Sequence, residues 1–239
     1  MTLTSEQVQL FRHNGFLKLP GKLSETQVEA LRRAILSDID EAVEPVVRNA
    51  EGQVVRLSTL LDRDPIFRDT VSSSLVLDPL ESLLGPNIEV VLNRHNHATL
   101  NLANKRQGSF HRDNVQWTRA LVTVIYYLEE TTLENGCTMV IPGTHLFPGV
   151  DILHQLDKEQ WIAESGLLEQ AVPVPMPAGG MLVIDSLIFH RIGTNRTNAS
   201  RMSITIGYHS VDELSGGDDP KRWLVRGERV YRGNDTKKV

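Results

Sequence analysis

The chain has 239 residues, 40% hydrophobic and 23% charged, with 30 acidic against 25 basic side chains and a net charge of −5. This is an ordinary globular composition, long enough to bury a sizeable core. The acidic balance argues against general nucleic-acid binding, which needs a basic face. The single cysteine, Cys137, excludes an internal disulfide and any multi-cysteine metal site, and it fits a reducing compartment. The opening residues show no basic and apolar leader, and no run of 18 apolar residues occurs. A cytoplasmic protein with no membrane or nucleic-acid partner is therefore expected. Oligomeric state is left open.

Two capping boxes open the chain. Thr4-x-x-Gln7 predicts a helix over 5–14 stopped by Gly15, and Ser24-x-x-Gln27 predicts one running to about residue 42. Between them Phe16 to Leu19 reads as a short strand ended by Pro20. Residues 43–62 give no clear signal beyond a turn at Glu51-Gly52. Asp64-Pro65 and Asp78-Pro79 each look like an N-cap with proline at the first helical position, the second helix ending at Gly85-Pro86. The first third is thus mostly helical.

Strand formers then take over. Ile88 to Leu102 reads as one long strand whose odd positions, Asn93, His95, His97, Thr99 and Asn101, share a face. Such a polar face is either a solvated outer face, the commoner case, or the wall of a polar cavity. Further strands are expected at Leu121–Leu128, Cys137–Ile141, Ala171–Met176, Met181–Asp185, Met202–His209 and Trp223–Tyr231, with a helical insert over 155–168. Basic residues from Lys221 to Lys238, interrupted by acids, read as a solvated, partly disordered tail. Helices followed by short strands with Gly/Pro/Asn turns fit a β-sandwich or barrel with a helical wrapping, in a single domain.

Chemistry gathers at Ser109-Phe110-His111-Arg112-Asp113. If extended, His111 and Asp113 point to one side, and an imidazole with a carboxylate can grip one metal ion. The tripeptide alone is common, so a third ligand is needed. His190 supplies it. A hairpin centred near Asn195–Arg196 would set His190 across from Arg201, on one face. Two histidines and one carboxylate leave metal positions open, and a buried guanidinium grips carboxylates in a two-pronged way. A chelating cosubstrate with a carboxylate tail suits that pair, and 2-oxoglutarate has this shape. Taken singly, Arg201 is more often a surface partner and His190 a turn residue; their joint occurrence changes the odds.

These motifs, with Asn135-Gly136-Cys137-Thr138 leading to Pro142-Gly143-Thr144-His145, resemble the phytanoyl-CoA dioxygenase-like family of iron(II)/2-oxoglutarate oxygenases over roughly 5–210. The resemblance implies a mainly β fold with α: a double-stranded β-helix (jelly-roll, cupin-like) core over about 87–232, with N-terminal helices over about 1–86 packed around it. It implies His111, Asp113 and His190 as ligands of Fe(II). It implies Arg201 and Thr138 as 2-oxoglutarate contacts, with Ser109 and Asn101 weaker candidates, and O₂ as oxidant. His145 is read as structural. The hydroxyl residue that many relatives carry two after the distal histidine is Ile192 here, to be replaced by Thr138 or Thr194. Halogenating relatives lack the carboxylate ligand, so Asp113 favours oxygenation.

The expected reaction oxidises an unactivated C–H bond of a polar small molecule, by hydroxylation or oxidative cyclisation. Antibiotic or other natural-product tailoring, sugar-containing substrates included, is the expected setting. Trp117, Arg119 and Gln116 are candidate substrate contacts. The alternatives are an acyl-CoA hydroxylase of the same family, a cupin-like metal enzyme that does not use 2-oxoglutarate, and a metal-binding protein without turnover.

Overall fold

The computed structural model describes residues 1–103, 108–114, 120–147, 156–211 and 219–228. Its strands are β1 (Phe16–Lys22), β2 (Val46–Arg48), β3 (Val54–Ser58), β4 (Ile88–Val91), β5 (Asn96–Asn101), β6 (Leu121–Tyr127), β7 (Thr138–Val140), β8 (Val172–Val174), β9 (Gly180–Asp185), β10 (His190–Ile192), β11 (Arg201–Ser210) and β12 (Arg222–Arg226). Its helices are α1 (Ser5–Asn14), α2 (Glu25–Asp40), α3 (Pro65–Val71), α4 (Ser74–Leu84) and α5 (Gln160–Ser165). All pairings are antiparallel. They build a large sheet ordered β1-β9-β6-β11-β5-β3-β2, with β4 on β11 and β12 on β4, and a small sheet β10-β7-β8. The two form the double-stranded β-helix.

Both faces of the large sheet are covered, which explains why β6 is buried along its whole length. Val122, Val124, Tyr126, Ile204, Ile206 and Tyr208 face the helical layer, where Leu31 and Ile35 of α2 and Val76, Leu77 and Leu80 of α4 complete the main core. Alternate residues face the small sheet. Ile125, Tyr127, Leu182 and Ile184 pack there against Val140, Val174, Met176 and Ile188. Going along the strands towards one end of this interior, the side chains become polar, and that end is the cavity.

Local signals at the N-terminus hold as read. Both capping boxes form, and Gly15 closes α1 in the left-handed conformation at φ 80°. Asp64 caps α3 ahead of Pro65. Asp78-Pro79 does not start a helix. Helix α4 begins five residues before Pro79, at Ser74, with Pro79 inside it. Asp78 instead accepts from the Met1 amino group at 2.7 Å and pairs with Arg226 at 2.9 Å.

Three further expectations change. Residues 43–62 contain the β2–β3 hairpin, and β1 and β3 join the large sheet, so the N-terminal third is not a purely helical wrapping. The long strand from Ile88 breaks over 92–95, where His95 adopts φ 46°. The basic stretch after Lys221 is structured as far as Arg226: β12 pairs with β4, and Arg226 bonds Asp78 and Glu81. Residues 229–239 lie outside the described residues. Among the described residues, no helix is long and apolar enough to cross a membrane.

Candidate active site

The His-x-Asp segment is not a strand, although its side chains converge as a strand would make them. His111 makes a single antiparallel bridge to His190, each backbone N–H donating to the other's carbonyl at 3.0 Å. The N–H of Asp113 donates to the Ser186 carbonyl at 2.9 Å. The segment is therefore fixed against the start of β10 and the loop that precedes it. The imidazoles stack with ring centres 4.4 Å apart.

One ligand atom from each of His111, Asp113 and His190 lies within 4.8 Å of the others, and this is the metal-competent cluster found among the described residues. In both histidines Nδ1 faces a backbone carbonyl two residues earlier: Ser109 at 3.2 Å and Ile188 at 3.0 Å. A donating Nδ1–H fixes the tautomer and leaves Nε2 as the lone-pair atom for a metal. Nε2 of His190 is 3.6 Å from Oδ1 of Asp113. The other carboxylate oxygen, Oδ2, accepts from the Thr123 hydroxyl at 2.5 Å. Burial pushes the Asp113 carboxyl up. The His190 and His95 imidazoles, the Thr123 hydroxyl and His111 outweigh it, leaving a net depression, so the group is a carboxylate at neutral pH. Two imidazoles and a carboxylate, all buried or half-buried, are a fit donor set for a divalent metal such as iron(II).

The Pro142-Gly143-Thr144-His145 turn serves both ligand segments. The Thr144 hydroxyl accepts from the N–H of Phe189, next to His190, at 2.9 Å. The Thr144 carbonyl accepts from the buried Arg112, between His111 and Asp113, at 2.9 Å. Arg112 also lies over the Phe189 ring at 4.4 Å. His145 is structural, as read: its Nε2 contacts the Arg12 carbonyl at the end of α1, at 3.0 Å.

Arg201 enters the same cavity from a different direction than expected. It is not across a hairpin from His190. Strand β10 pairs with β7, and β11 pairs with β4, β5 and β6, so the two residues sit on opposing sheets and face each other across the interior. The cause is the jelly-roll connection: Gly193 to Ser200 crosses between sheets instead of turning back. The guanidinium is 3% exposed and donates to the carbonyls of Asn135 (Nε, 3.1 Å) and Gly136. No carboxylate lies within ion-pair distance among the described residues. Burial pulls its pKa down. Removing a guanidinium from water without a counter-ion is costly.

Thr138 stands opposite Ile192 in the β7–β10 register, and its Oγ1 bonds the Tyr127 hydroxyl at 2.7 Å. Thr138, Tyr127, Ile192 and Arg201 all line the cavity, whereas Thr194 does not. The paired strand thus places a hydroxyl in the cavity wall beside Ile192. Asn101 sits behind the wall and bonds the Asn135 carbonyl at 3.3 Å; Ser109 is exposed. Trp117, Arg119 and Gln116 lie outside the described residues.

The polar face of β5 is a cavity wall and not an outer face. His97 and Thr99 face inward beside Ser203 and Thr205 of β11, and the break before β5 turns His95 in as well. Burial lowers the pKa of His95, and that of His97 is pushed down to about 4. Both imidazoles are neutral donor–acceptors at neutral pH. Thr123, Tyr127, Arg56 and Arg94 are cavity residues that sequence reasoning did not single out. The signal for the first was a lone threonine among the aliphatic and aromatic residues of Leu121–Leu128.

Comparison with known proteins agrees with this geometry. A family model described as phytanoyl-CoA dioxygenase (PhyH) matches residues 11–203. The chain is 27% identical over 233 residues to a dioxygenase, af480, of Aspergillus fumigatus, covering 90% of this chain and 69% of that protein. It is 25% identical over 249 residues to a methylphosphonate hydroxylase of Gimesia maris, covering 98% and 90%. Among solved structures, the non-heme alpha-ketoglutarate-dependent carbocyclase SnoK from nogalamycin biosynthesis superposes with a TM-score of 0.71 at 21% identity, covering 88% of this chain and 85% of that one. EctD from S. alaskensis, holding 2-oxoglutarate and 5-hydroxyectoine, gives 0.72 at 19% identity, covering 87% and 77%. The chain belongs to the phytanoyl-CoA dioxygenase family, and it is an iron(II)- and 2-oxoglutarate-dependent oxygenase by that membership and by the pocket it builds.

Proposed function

We propose that His111, Asp113 and His190 hold the iron, that Arg201 with Thr138 holds 2-oxoglutarate, and that the chain is one catalytic domain oxidising an unactivated C–H bond of a polar small molecule. The observation that carries this reading is a buried guanidinium without a carboxylate partner facing the two-histidine, one-carboxylate cluster across one cavity of about 260 Å³. A cupin-like metal enzyme has no use for Arg201 in that place.

When bound together, iron, 2-oxoglutarate and O₂ supply an oxidant strong enough for an unactivated C–H bond, with succinate and CO₂ as co-products. The chain's own residues do the rest. The Nδ1 contacts of His111 and His190 with backbone carbonyls aim both imidazoles. Thr123 holds one oxygen of Asp113, leaving the other for the metal. Arg201 neutralises the distal carboxylate of 2-oxoglutarate and Thr138 hydrogen-bonds it. The apolar layer of Ile125, Val140 and Leu182 below keeps water out.

His95, His97, Thr99, Ser203 and Thr205 give the space above the cluster a hydrogen-bonding wall, which suits a polar substrate. We place the protein in natural-product tailoring, with sugar-containing antibiotics a candidate class; the similarity to an enzyme of nogalamycin biosynthesis supports this. Arg201→Ala should raise the KM for 2-oxoglutarate at least 100-fold, with Arg201→Lys intermediate, in a succinate-release assay over a panel of polar metabolites and acyl-CoAs. Turnover triggered only by acyl-CoAs would overturn the substrate class. An unchanged KM in Arg201→Ala would overturn the cosubstrate assignment.

A further inference from the structure

The cavity carries more positive charge than that chemistry uses. Its described lining holds five arginines, Arg56, Arg94, Arg112, Arg191 and Arg201, against one carboxylate, Asp113. Arg201 is taken by the cosubstrate. Arg112 is bound to the Thr144 and Phe147 carbonyls, and Arg191 lies over the Phe110 ring at 4.1 Å. Arg94 donates to Oδ1 of Asn114 at 2.8 Å and to the carbonyl of Asp113, so it is partly committed to holding the ligand loop.

Arg56 is different. On β3 it pairs with Thr99 of β5, and Ser58 pairs with His97, so Arg56 shares the inward face of those two cavity residues. It makes no hydrogen bond or ion pair among the described residues. A second cleft of about 360 Å³ adjoins the cavity and shares Arg56, Arg94, His95 and His97 with it. The rest of that cleft's described lining is neutral: Ser58, Thr59, Leu92, Asn93 and Asn96.

An exposed arginine is ordinarily just a solvated cation. Three observations set Arg56 apart. Its register aims it at the cavity, its cleft shares Arg56, Arg94, His95 and His97 with that cavity, and among the described residues no acid lines the cleft. Two guanidinium groups without a counter-charge make a site of positive potential for small anions. The guanidinium fork matches carboxylate and phosphate oxygens alike. The neutral imidazoles of His95 and His97 line the path from this cleft to the cluster.

We propose that the oxidised substrate is a small molecule bearing an anionic group, docked on Arg56 with Arg94 and Asn93 in the side cleft while its reacting carbon reaches past His95 and His97 to the ligand cluster. This rests on the site assignment above and adds to it the charge class of the substrate and its specificity-determining residue.

The test is calorimetric titration of the anaerobic full-length protein loaded with iron(II) and 2-oxoglutarate. The probes are propionate, methanesulfonate and glycerol 3-phosphate, with glycerol as the neutral control. At least one anion should bind tenfold or more tightly than glycerol, and the best of the three identifies the anion type. That affinity should fall tenfold or more in Arg56→Gln, recover in part in Arg56→Lys, and weaken as salt rises. Titration of 2-oxoglutarate in the same preparations is the internal reference. If 2-oxoglutarate binds every variant while no anion outcompetes glycerol, or while Arg56→Gln binds the anion unchanged, the proposal is overturned and the cosubstrate site stands. If 2-oxoglutarate fails to bind the parent protein, the site assignment itself fails.

Discussion

At the scale of single residues, each member of the proposed ligand set is held by a neighbour. Thr123 is the clearest case. It lies in a strand that is otherwise apolar, and its hydroxyl meets Oδ2 of Asp113 at 2.5 Å. Losing such a supporting hydrogen bond typically costs about 10–100-fold in metal affinity. Thr123→Val keeps the shape and removes the bond, so iron affinity should fall by about that factor in a chelator competition, and Thr123→Ser should restore most of it. Equal affinities in all three proteins would show that Thr123 is only packing. The grouping of His111, Asp113 and His190 was legible in the sequence, since the chain has only eight histidines and the His-x-Asp spacing narrows the choice of carboxylate. Thr123, Tyr127 and Arg94 were not, because what makes them matter is a partner far along the chain, such as Asp113, Thr138 or Asn114.

At the scale of elements, local chemistry was readable and long-range pairing was not. Capping boxes and the Gly15 stop depend on residues within one turn, and they form as read. The two departures that matter for the site are both tertiary. Gly193–Ser200 suggested a hairpin, but the chain leaves the small sheet after Ile192 and enters the large one at Arg201. The supposed long strand from Ile88 breaks at His95, whose left-handed backbone is a strained one for a histidine.

The Asn135-Gly136 turn shows how such an element supports chemistry. Gly136 has φ 79°, its carbonyl is an acceptor for Arg201, and a Cβ there would lie 2.4 Å from the Gly193 carbonyl oxygen. Left-handed backbone costs an L-residue about 1–2 kcal/mol before any clash. Gly136→Ala should therefore lower stability by at least about 2 kcal/mol in chemical denaturation. It should also raise the KM for 2-oxoglutarate, since Arg201 loses its seat. A fully stable variant with normal KM would contradict the role given to this turn.

At the scale of the whole molecule, one sheet covered on both faces explains the split between core and cavity. Its outer face is apolar and held by the helices, and its inner face runs from apolar packing into a polar pocket. The cost of that arrangement is buried ionisable groups, and it should be visible in the pH dependence of folding. His97 has its pKa pushed down to about 4, first by burial and then by the charges of His95 and Arg56. Between about pH 6.5 and 4 the unfolded chain then binds more protons at this position than the folded one does. Stability from this residue is complete above pH 6.5 and is lost as pH falls through that window, by about 3 kcal/mol at most. Metal-free His97→Gln should melt with a shallower dependence on pH between 6.5 and 4 than the parent. The same slope in both would place the acid sensitivity elsewhere.

The central claim is that one cavity binds iron(II) through His111, Asp113 and His190 and 2-oxoglutarate through Arg201. Its most direct test is anaerobic addition of iron(II) and then 2-oxoglutarate, followed by visible absorption. The account predicts a weak metal-to-ligand charge-transfer band in the parent protein, absent in His111→Ala and His190→Ala, and requiring much more 2-oxoglutarate in Arg201→Ala. A parent protein that binds iron(II) and develops no such band, or a band that survives loss of either histidine, would contradict it.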